Sequence, residues 1–350
     1  MTVHYHVEGR RATVTIDRPD VLNALDRATL DALRDRFAEA SRDPAIGVVV
    51  LTGTGDTAFS TGADLAEQRA FLERRNGYWE WMGHFIDAID AIRDCPVPTI
   101  ARLNGMVVGG GNELNLACDL AVAADDIVIR HVGPSRGSIP SGGATQWLPV
   151  TIGDRRAREM LFLNREVPAA QALEWGLVSR VVPRGELDAA VDDLCGELLA
   201  KLPETIRATK AQVNFWKDLS WSVTIRNARE WLTIHADSDE VREGLASFGE
   251  KRKPDYERLR ESLAGAGASG SGPSSGAERQ AEPAREHAHT TTEPEVVAGE
   301  AAAGLSATPI GLASSSGPSL TCPDCGRGPF HPDFSYCAYC GAALLQETPP

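Results

Sequence analysis

Backbone amides, one carboxylate and one set of thiols are the groups in this chain whose spacing suggests chemistry. Two glycine-rich segments lie about fifty residues apart, GTGDTAFSTGADL at Gly53 to Leu65 and NGMVVGGGNELNLACDL at Asn104 to Leu120. Each leaves bare backbone where a strand is expected to end, because glycine adopts conformations that a Cβ forbids. The second runs straight into an apolar helical pattern. Its Gly109, Gly110 and Gly111 amides therefore fall at a helix N-terminus, where unpaired N–H groups and the macrodipole favour negative charge. Two such loops brought together would hold a carbonyl oxygen between backbone donors, and donors aimed at an oxygen that gains charge in the transition state commonly make the largest catalytic contribution. Taken singly, each loop also serves as a tight turn. Glu113 falls three residues after Gly110, on the first turn of the helix. There its carboxylate either reaches the same cleft as a general acid or base, or stabilises the helix dipole.

Four of the seven cysteines are clustered, with Cys322-Pro-Asp-Cys325 and Cys337-Ala-Tyr-Cys340 separated by eleven residues. Two tight knuckles at this spacing present four thiolates tetrahedrally to zinc, and the segment 321–345 resembles a zinc ribbon, with Gly326 and Gly341 directly after the knuckles. A closed four-thiolate site is structural, so the ion would fold the module without catalysing. Neither pair opens a helix in a strand-helix-strand unit, as a redox pair does, and no redox cofactor is expected. His331, between the knuckles, is a spare ligand. Cys95, Cys118 and Cys195 stand in apolar runs and read as small core side chains.

A chain of 350 residues is long enough to bury a large α/β core with appendages. Alternating apolar residues at Val3 to Val7 and Ala12 to Ile16 predict a β-hairpin, and Arg27 to Ser41 carries apolar residues at helical spacing. Strands are expected at Val48 to Thr52 and Thr99 to Leu103, after which helix and strand patterns alternate to about Val182, the signature of parallel strands covered by crossover helices. From Leu187 to about Leu245 the pattern is almost wholly helical. No internal repeat of fixed period is visible. Past about Arg260 the composition turns to Ala, Gly, Ser, Pro, Thr and Glu, with too little apolar surface to offset the entropy of ordering it. The predicted organisation is an α/β domain over 1–260, a disordered linker over 261–320 and the zinc ribbon. A formal net charge of −14 argues against a nucleic-acid surface. No stretch is apolar enough for a membrane span and residues 1–10 lack the core of a secretory signal, so a cytoplasmic location is expected.

At the two glycine-rich segments the chain resembles the crotonase, or enoyl-CoA hydratase/isomerase, superfamily. DRPDVLNAL at Asp17 to Leu25 looks like that family's opening hairpin and coenzyme-A-contacting turn, and VVVLTG at Val48 to Gly53 like its second strand. GSIPSGGATQWLP at Gly137 to Pro149, WGLVSRVVP at Trp175 to Pro183 and FGEKRKPDY at Phe248 to Tyr256 extend the resemblance over residues 1–260. It implies a spiral, ClpP/crotonase-like α/β core that takes an acyl-CoA thioester as substrate. A helical region at about 187–260 would pack across the interface of a homotrimer or hexamer. By motif position it implies the Ala63 and Gly110 amides as oxyanion donors and Glu113 as a catalytic carboxylate. It also implies Asn23, Ala24, Leu25, Ala63, Asp64 and Leu65 along the coenzyme A channel. Lys251 and Arg252 either reach the coenzyme's phosphates or form solvated charge at a helix end. Phe71, Tyr78, Trp79 and Trp81 fall in the segment that closes over the acyl group in relatives and suggest a sizeable, cyclic acyl pocket, although Trp81 and Phe85 at i and i+4 also fit ordinary helix packing.

The chain departs from the hydratase pattern at the second carboxylate. Hydratases of the family carry a glutamate four residues before the glycine of the GxIP turn, here Gly137; that position is Gly133, and no Asp or Glu lies between Ile127 and Gly153. Hydration by two glutamates is thereby put in doubt, whereas one carboxylate suffices to shuttle a proton in a double-bond isomerisation. HVGPSRGS at His131 to Ser138 is similar to the acyl-pocket segment of dihydroxynaphthoyl-CoA synthase and of alicyclic ring-opening acyl-CoA hydrolases, and GGATQWLP to 6-oxocyclohex-1-ene-1-carbonyl-CoA hydrolase. Pro140 stands where the synthase has an aspartate. This resemblance implies that Gly133, Ser138 and His131 line the acyl pocket. Ser138 bonds an acyl oxygen or its own backbone, and His131 supplies a proton or merely ends a strand. Three readings follow: an enoyl-CoA hydratase/isomerase, a ring-opening hydrolase of a cyclic oxoacyl-CoA, and a scaffold whose zinc ribbon docks a partner protein.

Overall fold

The computed structural model describes residues 2–74 and 76–268. In chain order its strands are β1 (Val3–Glu8), β2 (Arg11–Ile16), β3 (Val48–Gly53), β4 (Ala58–Ser60), β5 (Thr99–Leu103), β6 (Met106–Val108), β7 (Leu120–Ala124), β8 (Val128–Arg130), β9 (Val167–Pro168) and β10 (Arg180–Val182). The helices are α1 (Arg27–Arg42), α2 (Leu65–Leu72), α3 (Gly77–Arg93), α4 (Gly110–Ala117), α5 (Ala144–Thr151), α6 (Asp154–Phe162), α7 (Ala169–Trp175), α8 (Leu187–Leu199), α9 (Pro203–Val213), α10 (Phe215–His235), α11 (Asp239–Gly249) and α12 (Tyr256–Ala268).

The expected hairpin is present, with Val3 opposite Ile16 and Glu8 opposite Arg11. It leads into a six-stranded sheet of order β1-β2-β3-β5-β7-β10, parallel from β2 onward. The central strand β3 is buried at every residue, as a near-continuous apolar run covered on both faces should be. A smaller sheet of order β4-β6-β8-β9 is parallel through β8, with β9 antiparallel at its edge. From β3 the chain crosses between sheets at each step, so β3, β5 and β7 lie in the large sheet and β4, β6 and β8 in the small one. Each of these three turns of the spiral hands the chain to a strand end in the small sheet.

Local chemistry sets the helix ends. The Asp26 side chain accepts from Thr29 N at 2.8 Å and starts α1, whose Leu30, Leu33, Phe37 and Ala40 form the buried stripe. Asp64 caps α2 in the same way through Ala66 N and Glu67 N. The region expected to be helical is α8 to α11. Helix α12 runs on to Ala268, eight residues past the predicted boundary at 260 and into the segment read as linker. Its run of Glu, Arg, Leu and Ala has the propensity to continue a helix that low overall hydrophobicity hides. The remaining linker residues and the cysteines Cys322, Cys325, Cys337 and Cys340 lie outside the described residues. Cys95, Cys118 and Cys195 are buried free thiols, as expected. Among the described residues no helix is long and apolar enough to cross a membrane.

Candidate active site

Because β4, β6 and β8 are neighbouring parallel strands, their C-terminal ends open side by side. Ala63 follows the first, Gly110 the second and His131 the third. Leu25 N donates to Gly62 O at 2.8 Å and Asp64 N to Leu25 O at 3.0 Å, which pins the loop after β4 against the turn after the hairpin. Gly62 has φ +81°, and a Cβ built there would lie 2.7 Å from Gly110 N. The two glycine-rich loops therefore touch, backbone to backbone, at a distance that no side chain at position 62 would permit. Among the described residues neither Ala63 N–H nor Gly110 N–H donates to an acceptor, and both residues line one cavity of about 120 Å³. A groove of about 500 Å³ shares Thr61, Ala63, Leu65, Val132 and Arg136 with that cavity and continues past Ala24, Asp64 and Phe248.

Glu113 is 5 % exposed and lines the inner cavity. Its Oε1 accepts from Gly142 N at 2.5 Å and from Ala144 N at 3.4 Å, where α5 begins. Burial opposes ionisation, these two amides favour it, and burial prevails, raising the carboxyl to about 7. At neutral pH the group is thus poised to give or take a proton. It is the one carboxyl among the residues lining this cavity. Gly142 was not singled out as a site residue from sequence. Its only signal was the glycine pair ahead of α5, since the partner is twenty-nine residues away.

Gly133, Ser138 and His131 all line the same cavity. A Cβ built on Gly133 would lie 2.6 Å from Ser138 O, so the loop leaves no room for a side chain where hydratases have their second glutamate. Ser138 Oγ makes a 3.5 Å contact to Ile139 O and lies beside the buried Tyr78 hydroxyl. His131 is fully buried and its pKa falls to about 3, so it is neutral; Asn112 Nδ2 lies 3.0 Å from its Nε2.

The other expected residues separate. Ala24, Asp64 and Leu65 line the groove, with the Asp64 carboxylate held by Arg18 at 2.9 Å. Asn23 and Leu25 do not line it. Asn23 is 1 % exposed, and its Nδ2 donates to Thr54 O and Ala58 O while its Oδ1 accepts from Arg18 N, so the side chain ties loops together. Buried Asn104 does the same between the turn after β5 and the loop after β3, through Gly53 N, Gly55 O and Ala58 O. Lys251 lines neither space, and Arg252 is engaged by the buried Glu243 and by Glu250. Of the aromatic residues, Tyr78, Trp81 and Phe85 line the cavity, Phe71 packs behind Trp81, and Trp79 faces outward beneath Arg229. Trp81 and Phe85 are therefore both a helix-packing pair and a cavity wall.

Two neighbouring parallel strands end in facing bare loops, and a buried carboxyl lines the same cavity as both. Residues 8–259 match the family model described as enoyl-CoA hydratase/isomerase. Among solved structures, an enoyl-CoA hydratase from Mycobacterium avium subsp. paratuberculosis K-10 is 28% identical with a TM-score of 0.67, covering 73% of this chain and 98% of that one. DspI from Pseudomonas aeruginosa is 32% identical with a TM-score of 0.59, covering 73% and 96%. An enoyl-CoA hydratase from Bacillus anthracis is 29% identical with a TM-score of 0.60, covering 73% and 98%. The chain belongs to the enoyl-CoA hydratase/isomerase family.

Proposed function

We propose that the protein acts on an acyl-CoA thioester through an enolate, with the thioester oxygen held between Ala63 N–H and Gly110 N–H and Glu113 moving the proton. The carrying observation is that these two amides, without acceptors among the described residues, share one small cavity with a buried carboxyl poised near neutrality. Coenzyme A would lie in the outer groove along Ala24, Asp64 and Leu65. Ionised Glu113 takes a proton from the carbon skeleton next to the thioester. The electron pair left behind moves onto the carbonyl oxygen, where the two amides stabilise it, and Glu113 returns the proton to carbon. With one carboxyl in the cavity and no space for another at position 133, a single-base shift of the double bond is the reaction the site supports best.

Ring-opening hydrolysis of a cyclic oxoacyl-CoA is the second reading, supported by the cavity position of the VGPSRGS segment. Mass spectrometry with fragmentation of products from an acyl-CoA panel separates the outcomes. Unchanged mass with a moved double bond supports isomerisation, one added water with the skeleton intact supports hydration, and a ring-opened diacid thioester supports hydrolysis. Binding without turnover on every thioester would favour the scaffold reading.

The exposed apolar residues Val213, Phe215, Trp216, Val223 and Ile234 on α9 and α10 support burial against further copies in a trimer or hexamer, which light scattering measures. The spacing of Cys322, Cys325, Cys337 and Cys340 supports a structural zinc ribbon. Metal analysis should find about one zinc per chain, lost in Cys322→Ser/Cys325→Ser.

A further inference from the structure

Glu113 is held across two helices, and a third helix ties both of them from behind. Its own helix, α4, ends at Ala117, and Lys217 on α10 reaches that end, where Nζ donates to Leu116 O at 2.7 Å and to Cys118 O at 3.1 Å. Carbonyls at a helix end lack partners within the helix, and a cation beside them offsets the negative end of α4, whose positive end presents Gly110 N–H. The same lysine serves α5. Trp147 Nε1–H donates to Lys217 O at 3.2 Å, the Trp147 ring stacks on Trp221 of α10 with centroids 5.1 Å apart, and Lys217 Nζ lies 5.4 Å from the Trp147 ring centroid. Trp147 is 2 % exposed, and a Cβ on Gly143, which has φ +118°, would strike its ring. The indole therefore lies directly against the backbone between Gly142 and Ala144, the two residues whose amides hold the Glu113 carboxylate.

A lysine that served only solubility would keep its ammonium in water. This one is turned onto two main-chain oxygens, and burial lowers its pKa. A carboxylate that moves a proton has to be held to within a fraction of an ångström of its productive place. We infer that Lys217 and Trp147 are a positioning pair for Glu113: the ammonium fixes the helix that carries the carboxylate, and the indole, bonded to the same lysine, fixes the amides that hold it. Neither side chain lines the cavity, so neither is a catalytic residue. This role rests on Glu113 moving the proton in the proposed reaction. The charged and titratable groups around the ammonium are Asp119, Cys118, Lys210 and Arg93, and those sharing the cavity with Glu113 are Tyr78, His131 and Arg136.

NMR of protein labelled with carboxyl-labelled glutamate reads the carboxylate directly, the Glu113 signal being the one that Glu113→Gln removes. In Lys217→Met, and in Trp147→Phe, which leaves the charge in place, that signal should titrate at higher pH. Its acid constant should fall about tenfold as the amide bonds loosen, roughly the effect of one hydrogen bond to a charged group. In the isomerisation of vinylacetyl-CoA, kcat should fall about 10- to 100-fold with KM changed less than about threefold, because positioning is lost while the groove is untouched. A pair with a merely structural role would lower the melting temperature and move neither quantity. A Glu113 signal unmoved in both variants, or an unchanged kcat, overturns the inference and leaves the acyl-CoA reading in place. A shift in Lys217→Met alone also overturns it, since the effect is then that of the lost charge. If the wild type turns over neither vinylacetyl-CoA nor any other thioester of the panel, the acyl-CoA reading fails, and the titration by itself decides whether the pair holds the carboxylate. If Lys217→Met does not fold, as judged by circular dichroism, Trp147→Phe is read by the same two measurements with the same outcomes.

Discussion

Replacing Glu113 by Gln should make the protein a poorer enzyme and, at alkaline pH, a more stable fold. The carboxyl is raised by burial from 4.5 to about 7. A folded-state pKa above the unfolded value means that the native state holds a proton the unfolded chain has released, so stability falls as pH rises between those two values and levels off above them. At roughly 1.4 kcal/mol per pKa unit, ionising Glu113 inside the fold costs about 3 kcal/mol. Glutamine keeps an oxygen to accept from Gly142 N and does not ionise. Thermal melts of the two proteins should therefore nearly coincide at about pH 4.5 and separate by roughly 6–12 °C at about pH 8.5, with the variant higher, using about 2–4 °C per kcal/mol for a domain of this size. Turnover should drop by about two to four orders of magnitude, the usual worth of general acid–base catalysis. Stability gained where activity is lost is the expected mark of a charge held in place for function. Identical pH dependence of the two melts would show that Glu113 is not the strained carboxyl the cavity makes it, and unchanged turnover would remove it from the mechanism.

As a general base Glu113 must be ionised, so kcat/KM should rise with pH through an apparent pKa near 7 and then level; a profile flat from about pH 5.5 to about pH 8.5 contradicts this. Gly62→Ala should destabilise the fold by about 1–3 kcal/mol and lower kcat by about a hundredfold, because the new Cβ drives against Gly110 N. Steady-state kinetics and denaturant titration check it, and wild-type kcat would mean the two loops need not touch. Gly133→Glu should not create a hydratase but should destabilise the protein by about 1–3 kcal/mol, since its Cβ meets Ser138 O at 2.6 Å. A gain of water addition to an enoyl thioester would show that the loop accommodates the second carboxylate after all.

What could be read from the chain alone was local. The alternation at Val3 to Val7, the apolar spacing of α1 and the all-apolar run of β3 each report a period that one strand or helix imposes by itself. Ala63, Gly110, Glu113 and the lack of a carboxylate at Gly133 were equally visible, because residue type and position are all they require. Tertiary structure decided which of these residues meet. Pairing of β4 with β6 and of β6 with β8 joins segments separated by irregular lengths of chain, so no repeat announces it, yet it alone aligns Ala63, Gly110 and His131 at one edge. It also sent Asn23 and Arg252 to structural duties, made Trp81 and Phe85 a chamber wall, and set Glu113 beside Gly142. The physical reason is that hydrogen bonding between distant strands and exclusion of water from a carboxyl depend on everything packed around a residue, whereas periodicity and glycine's backbone freedom depend only on the residue and its near neighbours.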